Sequence, residues 1–151
     1  DIKQKEDIWY LSINEHDDGK HLKNKSSTRL IPIHQKLIKI GFLKYIDSLK
    51  SNKVFPELIA DTHGSLTGNW SKWFSRYKKS IGLTDKRKVF HSFRHTFKDA
   101  LRNSEVDEAL SDALTGHTNG SVGRQYGQGY TLEKLNKAIQ SIEYDIDVNW
   151  S

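Results

Sequence analysis

A chain of 151 residues, 35% hydrophobic and 28% charged with two prolines, can bury one core and is too apolar to stay disordered. With no cysteine it has no disulfide or thiolate chemistry, and no apolar run suits a membrane span or a secretory leader, so a cytoplasmic location is expected. The net charge of +5 is uneven: residues 20–53 hold nine Lys/Arg against one acid, residues 72–102 ten against two, and residues from 103 onward three against eight, a pattern in which the middle of the chain meets a polyanion and the tail does not.

In chain order, IWYLSI at 8–13 is β-branched and aromatic and predicts a strand, with turn chemistry following in EHDDGK. STRLIPI at 27–33 alternates as the returning strand, and HLKNKS between them is a further strand or a loop. From Ile33 the period becomes helical through Leu37, Ile38, Phe42, Leu43, Ile46 and Leu49, which predicts one helix over about 34–50. Residues 51–68, with Pro56, His63, Gly64 and Gly68, read as an irregular connection. Trp70, Trp73, Phe74 and Tyr77 then mark an aromatic-faced helix that ends near Gly82.

Another helix starts around Phe90 and carries HSFRHTFKDAL. NSEVDEALSDALTG gives a new start, with Ser104 as N-cap and Gly116 as the stop, and TLEKLNKAIQSI at 131–142 is the last helix, capped by Thr131. Residues 143–151 form an acidic tail. The expected class is α+β, mainly α-helical with a small antiparallel sheet near the N-terminus, as a single domain over 1–151.

Chemistry concentrates in two places. His91 and Arg94 lie three apart and share a helix face; an arginine can grip two phosphate oxygens, and a histidine beside it can donate to a third or move a proton. In LTGHTNGSVGRQYG (114–127) a helix delivers His117 at its glycine-marked end, and Tyr126 follows nine residues later. A tyrosine that attacks phosphorus needs cationic and hydrogen-bonding neighbours, which His91, Arg94 and His117 would supply. Two other readings stand beside this one. His91 and His95 have metal-ligand spacing and, with His117, could form the site of a zinc hydrolase, although no glutamate lies between them and Arg94 would repel the dication. The basic surface could also serve a DNA-binding module without catalysis. Trp9, Trp70 and Trp73 read as core or rim rather than base-stacking platforms.

The ordered set H-S-F-R (91–94), L-T-G-H (114–117) and Tyr126 resembles the catalytic domain of the tyrosine recombinases, the phage integrase family, and LKNKSSTRLIPIH is similar to that family's β-hairpin lysine region. The resemblance implies a site-specific DNA recombinase domain in which Tyr126 forms a covalent 3′-phosphotyrosine, Arg94 and His117 stabilise the charge on phosphorus, and His91 moves a proton. Lys23 would protonate the leaving 5′ oxygen, with Lys25 as its rival in the same loop, and Tyr130 is the alternative nucleophile. Lys25, Arg29, Lys86, Arg87, Lys88 and Arg124 would contact DNA phosphates. The implied partners are double-stranded DNA and other recombinase protomers, as a tetramer on DNA, with no metal or other cofactor. The family's first arginine, upstream of the hairpin, has no counterpart before Arg29, so the sequence is expected to be a fragment of a longer recombinase that is inactive alone.

Overall fold

The computed structural model describes residues 1–14, 28–62, 64–117, 129–144 and 146. The class is α+β: the described residues form six helices and one three-stranded antiparallel sheet near the N-terminus. Contacts divide the chain into two compact units, one built from both ends, Asp1–Ile40 with Phe97–Ser151, and one from the middle, Gly41–Thr96.

In the first unit the sheet order is β1 (Ile2–Lys5), β2 (Ile8–Ile13), β3 (Arg29–Pro32). Strands 2 and 3 are the two predicted ones, in antiparallel register from Tyr10 opposite Pro32 to Ile13 opposite Arg29. The segment read as a further strand or loop, HLKNKS, lies outside the described residues. Strand β1 was not expected. It pairs with β2 from Ile2 opposite Leu11 to Lys5 opposite Ile8, through a tight turn in which Glu6 and Asp7 have φ of 49° and 63°. Two consecutive left-handed residues match the twist of a hairpin, but that turn ordinarily announces itself with Asn or Gly, and IKQKED carries neither.

The core lies where α4 (Ser92–Asn103), α5 (Glu108–Thr115) and α6 (Leu132–Gln140) meet. Ala100 and Leu101, Leu110 and Leu114, Leu135, Ala138 and Ile139, with Ile142, are buried together, and Leu30 of β3, Phe97, Val106 and Tyr130 pack against them. Helices α5 and α6 both rest on β3. Gln140 extends the α6 contact: its amide donates to the Ile33 carbonyl at 3.1 Å and accepts from the Gln35 amide at 2.9 Å, fixing the start of α1 (Gln35–Lys39).

Three helix boundaries differ from the sequence reading. The single helix over 34–50 is two, α1 and α2 (Phe42–Ser48), because Gly41 adopts φ 93° and breaks the hydrogen-bond ladder. Helix α3 (Leu66–Ser80) begins two residues before Gly68, because the Ser65 side chain caps it by accepting from the Thr67 amide. Helix α5 is capped by Asp107, whose carboxylate accepts from the Ala109 and Leu110 amides, whereas the Ser104 hydroxyl donates to the Ser141 carbonyl. The other termini agree with expectation: Gly116 ends α5 at φ 67°, and Thr131 caps α6 by accepting from the Lys134 amide.

The middle unit is held differently. Trp70, Trp73 and Tyr77 stack along α3, with centroids 4.7 and 5.2 Å apart, while Phe74 meets Phe90 edge-on at 5.3 Å and Phe90 meets Phe93 at 5.6 Å. The tryptophans are thus ring-packed neighbours, although Trp73 is also exposed. Among the described residues of this unit only Lys78 is buried.

Candidate functional site

His117 follows directly on the end of α5. The carbonyl of Asp112 accepts both the Gly116 and the His117 amides, the latter at 3.0 Å, which ties off the last turn and points the chain out of the helix. The left-handed Gly116 has a second reason to lack a side chain: a Cβ there would sit 2.7 Å from Nη1 and 2.9 Å from Cζ of Arg29. The Arg29 guanidinium of β3 therefore packs against the turn that presents His117. Arg29 was expected among phosphate-contacting residues; the structure places it against the backbone next to a catalytic candidate. His117 itself is exposed, with 52% of its side chain accessible, and its Nδ1 is 3.9 Å from the buried Asp112 carboxylate.

His91 and Arg94 belong to the other unit, at the start of α4. Successive turns close the segment, with Phe93 N donating to Phe90 O and Arg94 N to His91 O, and the Ser92 hydroxyl accepts from the Val89 amide at 3.0 Å. Phe90 and Phe93, on the aromatic cluster of α3, bracket His91 in sequence and anchor this turn. His91 is exposed, in the turn just before the helix, and Arg94 is half-buried within it. His91 meets His95 edge-on, with centroids 5.6 Å apart. No group of three or more His, Asp or Glu among the described residues is arranged to hold a metal ion, so the zinc reading gains no support.

The basic run before this turn has a defined framework. Asp85 accepts from the Arg87 amide at 2.9 Å and from both Nε and Nη2 of its guanidinium at 3.2 and 2.9 Å. Those bonds hold the Asp85 carboxyl below the usual carboxylate range. Buried Lys78 donates to the carbonyls of Asp85 and Lys88 and so pins both ends of the loop from α3. Lys86 and Lys88 are exposed and make no ion pair with a described residue.

Four expected site residues, Lys23, Lys25, Arg124 and Tyr126, lie outside the described residues. Tyr130 is described: it packs against the α4–α5–α6 core, with the Lys134 ammonium 4.9 Å over its ring. Sequence reasoning missed Asp112, Lys98 and Lys78. For Asp112 a signal was available, since an acid inside the apolar run LSDAL, between Leu110 and Leu114, must find a partner when that helix is buried.

No described helix is long and apolar enough to cross a membrane. A family model described as the phage integrase family matches residues 1–132, a range that contains the H-S-F-R and L-T-G-H motifs and Tyr126. Searches among curated proteins and among solved structures gave no match.

Proposed function

Since this chain belongs to the phage integrase family of site-specific DNA recombinases, we propose that it cleaves and rejoins DNA through a covalent bond between Tyr126 and a 3′ phosphate. The Tyr126 hydroxyl attacks a backbone phosphorus in line with the 5′ oxygen. As the new phosphorus–oxygen bond forms, the bond to the 5′ oxygen breaks, the tyrosine proton passes toward His91, and Lys23 protonates the leaving 5′ oxygen to give a free hydroxyl. Arg94, through its guanidinium fork, and His117 meet the charge that develops on the non-bridging oxygens. The phosphotyrosine ester keeps the energy of the bond it replaced, so a 5′ hydroxyl from a second strand can reverse the step. Strand exchange follows, on two duplexes held by four protomers.

The observation that carries this reading is the presentation of His117: an exposed imidazole at a left-handed helix end, within the family-matched range and nine residues before Tyr126. The packing of Tyr130 against the core supports Tyr126 as the nucleophile, because a core-anchored ring is less free to reach a phosphate. Lys86, Arg87 and Lys88 would contact phosphates and position the duplex without reading its sequence.

A nicked duplex that traps the covalent step tests the proposal, with the adduct mapped by mass spectrometry. No arginine precedes Arg29 to act as the family's first phosphate clamp, so the yield from the 151-residue chain is expected to be low. An adduct on Tyr126 that disappears in Tyr126→Phe is the expected result. An adduct on Tyr130 reassigns the nucleophile, and salt-dependent binding without any adduct, when a segment carrying that arginine is supplied upstream, returns the chain to a DNA-binding module.

A further inference from the structure

The mechanism above uses His117 and leaves unexplained the buried charge behind it. Asp112 lies on α5 with only 5% of its side chain accessible, between core residues Leu110 and Leu114. A carboxylate in that position is costly unless cations and donors meet it. Within the same unit, Lys98 Nζ of α4 donates to Asp112 Oδ1 at 3.2 Å, and His117 Nδ1 faces that same oxygen at 3.9 Å. A further basic side chain near this turn, Arg29 of β3, lies against Gly116.

We propose that Asp112 is the positioning residue for His117: Lys98 holds the carboxylate in place, and the carboxylate holds the Nδ1 edge of the ring. The present 3.9 Å is ion-pair range and about 1 Å longer than a hydrogen bond, a gap that side-chain rotation of an exposed ring closes. Three features converge on this role. The Asp112 carbonyl already fixes the His117 backbone amide at 3.0 Å, so one residue governs both the main chain and the ring. Arg29 packs against Gly116, between Asp112 and His117, where a Cβ would stand 2.7 Å from Nη1, so the turn that joins the two residues is covered by a neighbouring side chain. Lys98, one helical turn after Arg94 on α4, spends its charge on Asp112 and so remains a support for the site.

The consequence is a choice of nitrogen. Held at Nδ1, the imidazole offers Nε2 to whatever approaches, as an acceptor when neutral and as a donor when protonated. For the reaction proposed above, it is the protonated ring, still held at Nδ1, whose Nε2–H donates to a non-bridging phosphate oxygen. The role of His117 in chemistry rests on that proposal, but the orientation of the ring does not, and the two are measured separately.

Histidine tautomers are read directly from long-range proton–nitrogen correlation spectra of the ¹⁵N-labelled 151-residue chain. Neutral imidazole in water favours Nε2–H, so the expected result is a neutral His117 held mainly as Nδ1–H that reverts to mainly Nε2–H in Asp112→Asn. Because that substitution leaves the part-buried Lys98 without its carboxylate, the double variant Lys98→Met/Asp112→Asn removes both charges, and the same reversion is expected in it. A wild-type His117 already in the Nε2–H form, or one that keeps its tautomer in a folded double variant, overturns the proposal. Adduct formation on nicked DNA is then compared at equal DNA affinity: at least a tenfold slowing is expected in Asp112→Asn, and an unchanged rate in a variant whose tautomer has switched refutes the positioning role. Loss of the Tyr126 adduct assignment would sink the recombinase mechanism and leave the tautomer result standing.

Discussion

Replacing Gly116 by alanine probes the turn that presents His117 from two directions. The backbone there has φ 67° and ψ 34°, and a residue with a Cβ pays about 1 kcal/mol or slightly more for that left-handed conformation. The new methyl would also stand 2.7, 2.9 and 3.3 Å from Nη1, Cζ and Nε of Arg29, against an ordinary contact of roughly 3.5–4.0 Å. The guanidinium must therefore move by about 1 Å, which costs on the order of 1 kcal/mol in displaced contacts and strained rotamers. The expected total is about 2–3 kcal/mol, or a fall in Tm of roughly 4–12 °C for a chain of this size. Thermal unfolding followed by circular dichroism measures it, and a double-mutant cycle separates the parts. In an Arg29→Ala background the steric part disappears, so Gly116→Ala should cost only about 1 kcal/mol there. Equal costs in both backgrounds would show that the guanidinium does not lie on this turn, and no cost in either would refute the left-handed glycine as well.

Two further outcomes follow from particular groups. His34 caps α1 by accepting the Lys36 amide at Nδ1, 3.0 Å away; burial lowers its pKa below the ordinary histidine value, with nearby Lys36 adding to the effect and the Ile142 backbone opposing it. The unfolded chain therefore takes up the His34 proton first as pH falls, so its contribution is complete above the ordinary value of about 6.5 and is lost as pH drops through that value toward the folded one. Melting curves between about pH 8 and about pH 5 should lose less stability in His34→Asn, which caps without titrating, than in the wild type; parallel curves would refute the assignment. In the basic loop, Lys86→Gln and Lys88→Gln should each lower the slope of log binding constant against log salt by about 1 on duplexes of unrelated sequence. Arg87→Gln should lower it less, because Asp85 already holds that guanidinium; fluorescence anisotropy titrations decide, and a sequence-selective loss would contradict phosphate contact.

What could be read from the sequence divides along physical lines. Strands β2 and β3, the glycine stop at 116 and the threonine cap at 131 came from signals that are local: side-chain alternation, a left-handed glycine and a hydroxyl beside an amide. The misread boundaries are places where two local signals compete. Ser104 and Asp107 are both good caps, and Asp107 wins because Val106 and Leu110 must both face the core, leaving Ser104 to bond the Ser141 carbonyl, a partner 37 residues away. Apolar periodicity ran unbroken past Gly41, yet a single residue at φ 93° ends α1 there, and periodicity does not register backbone conformation.

The same distinction applies to the site. H-S-F-R and L-T-G-H could be found because their spacing is short and each rides one helix end. The supports could not, because each joins residues far apart in the chain: Arg29 to Gly116, Lys98 to Asp112, Lys78 to the carbonyls at 85 and 88. For the two lysines the partner is a buried carboxylate or a backbone carbonyl rather than an exposed acid, a pairing that charge counting does not register. Among the described residues burial separates these cations: Lys78 is buried and Lys98 part-buried, each bonded to a backbone carbonyl or a buried carboxylate, whereas Lys86 and Lys88 are exposed, as the phosphate contacts proposed for them require.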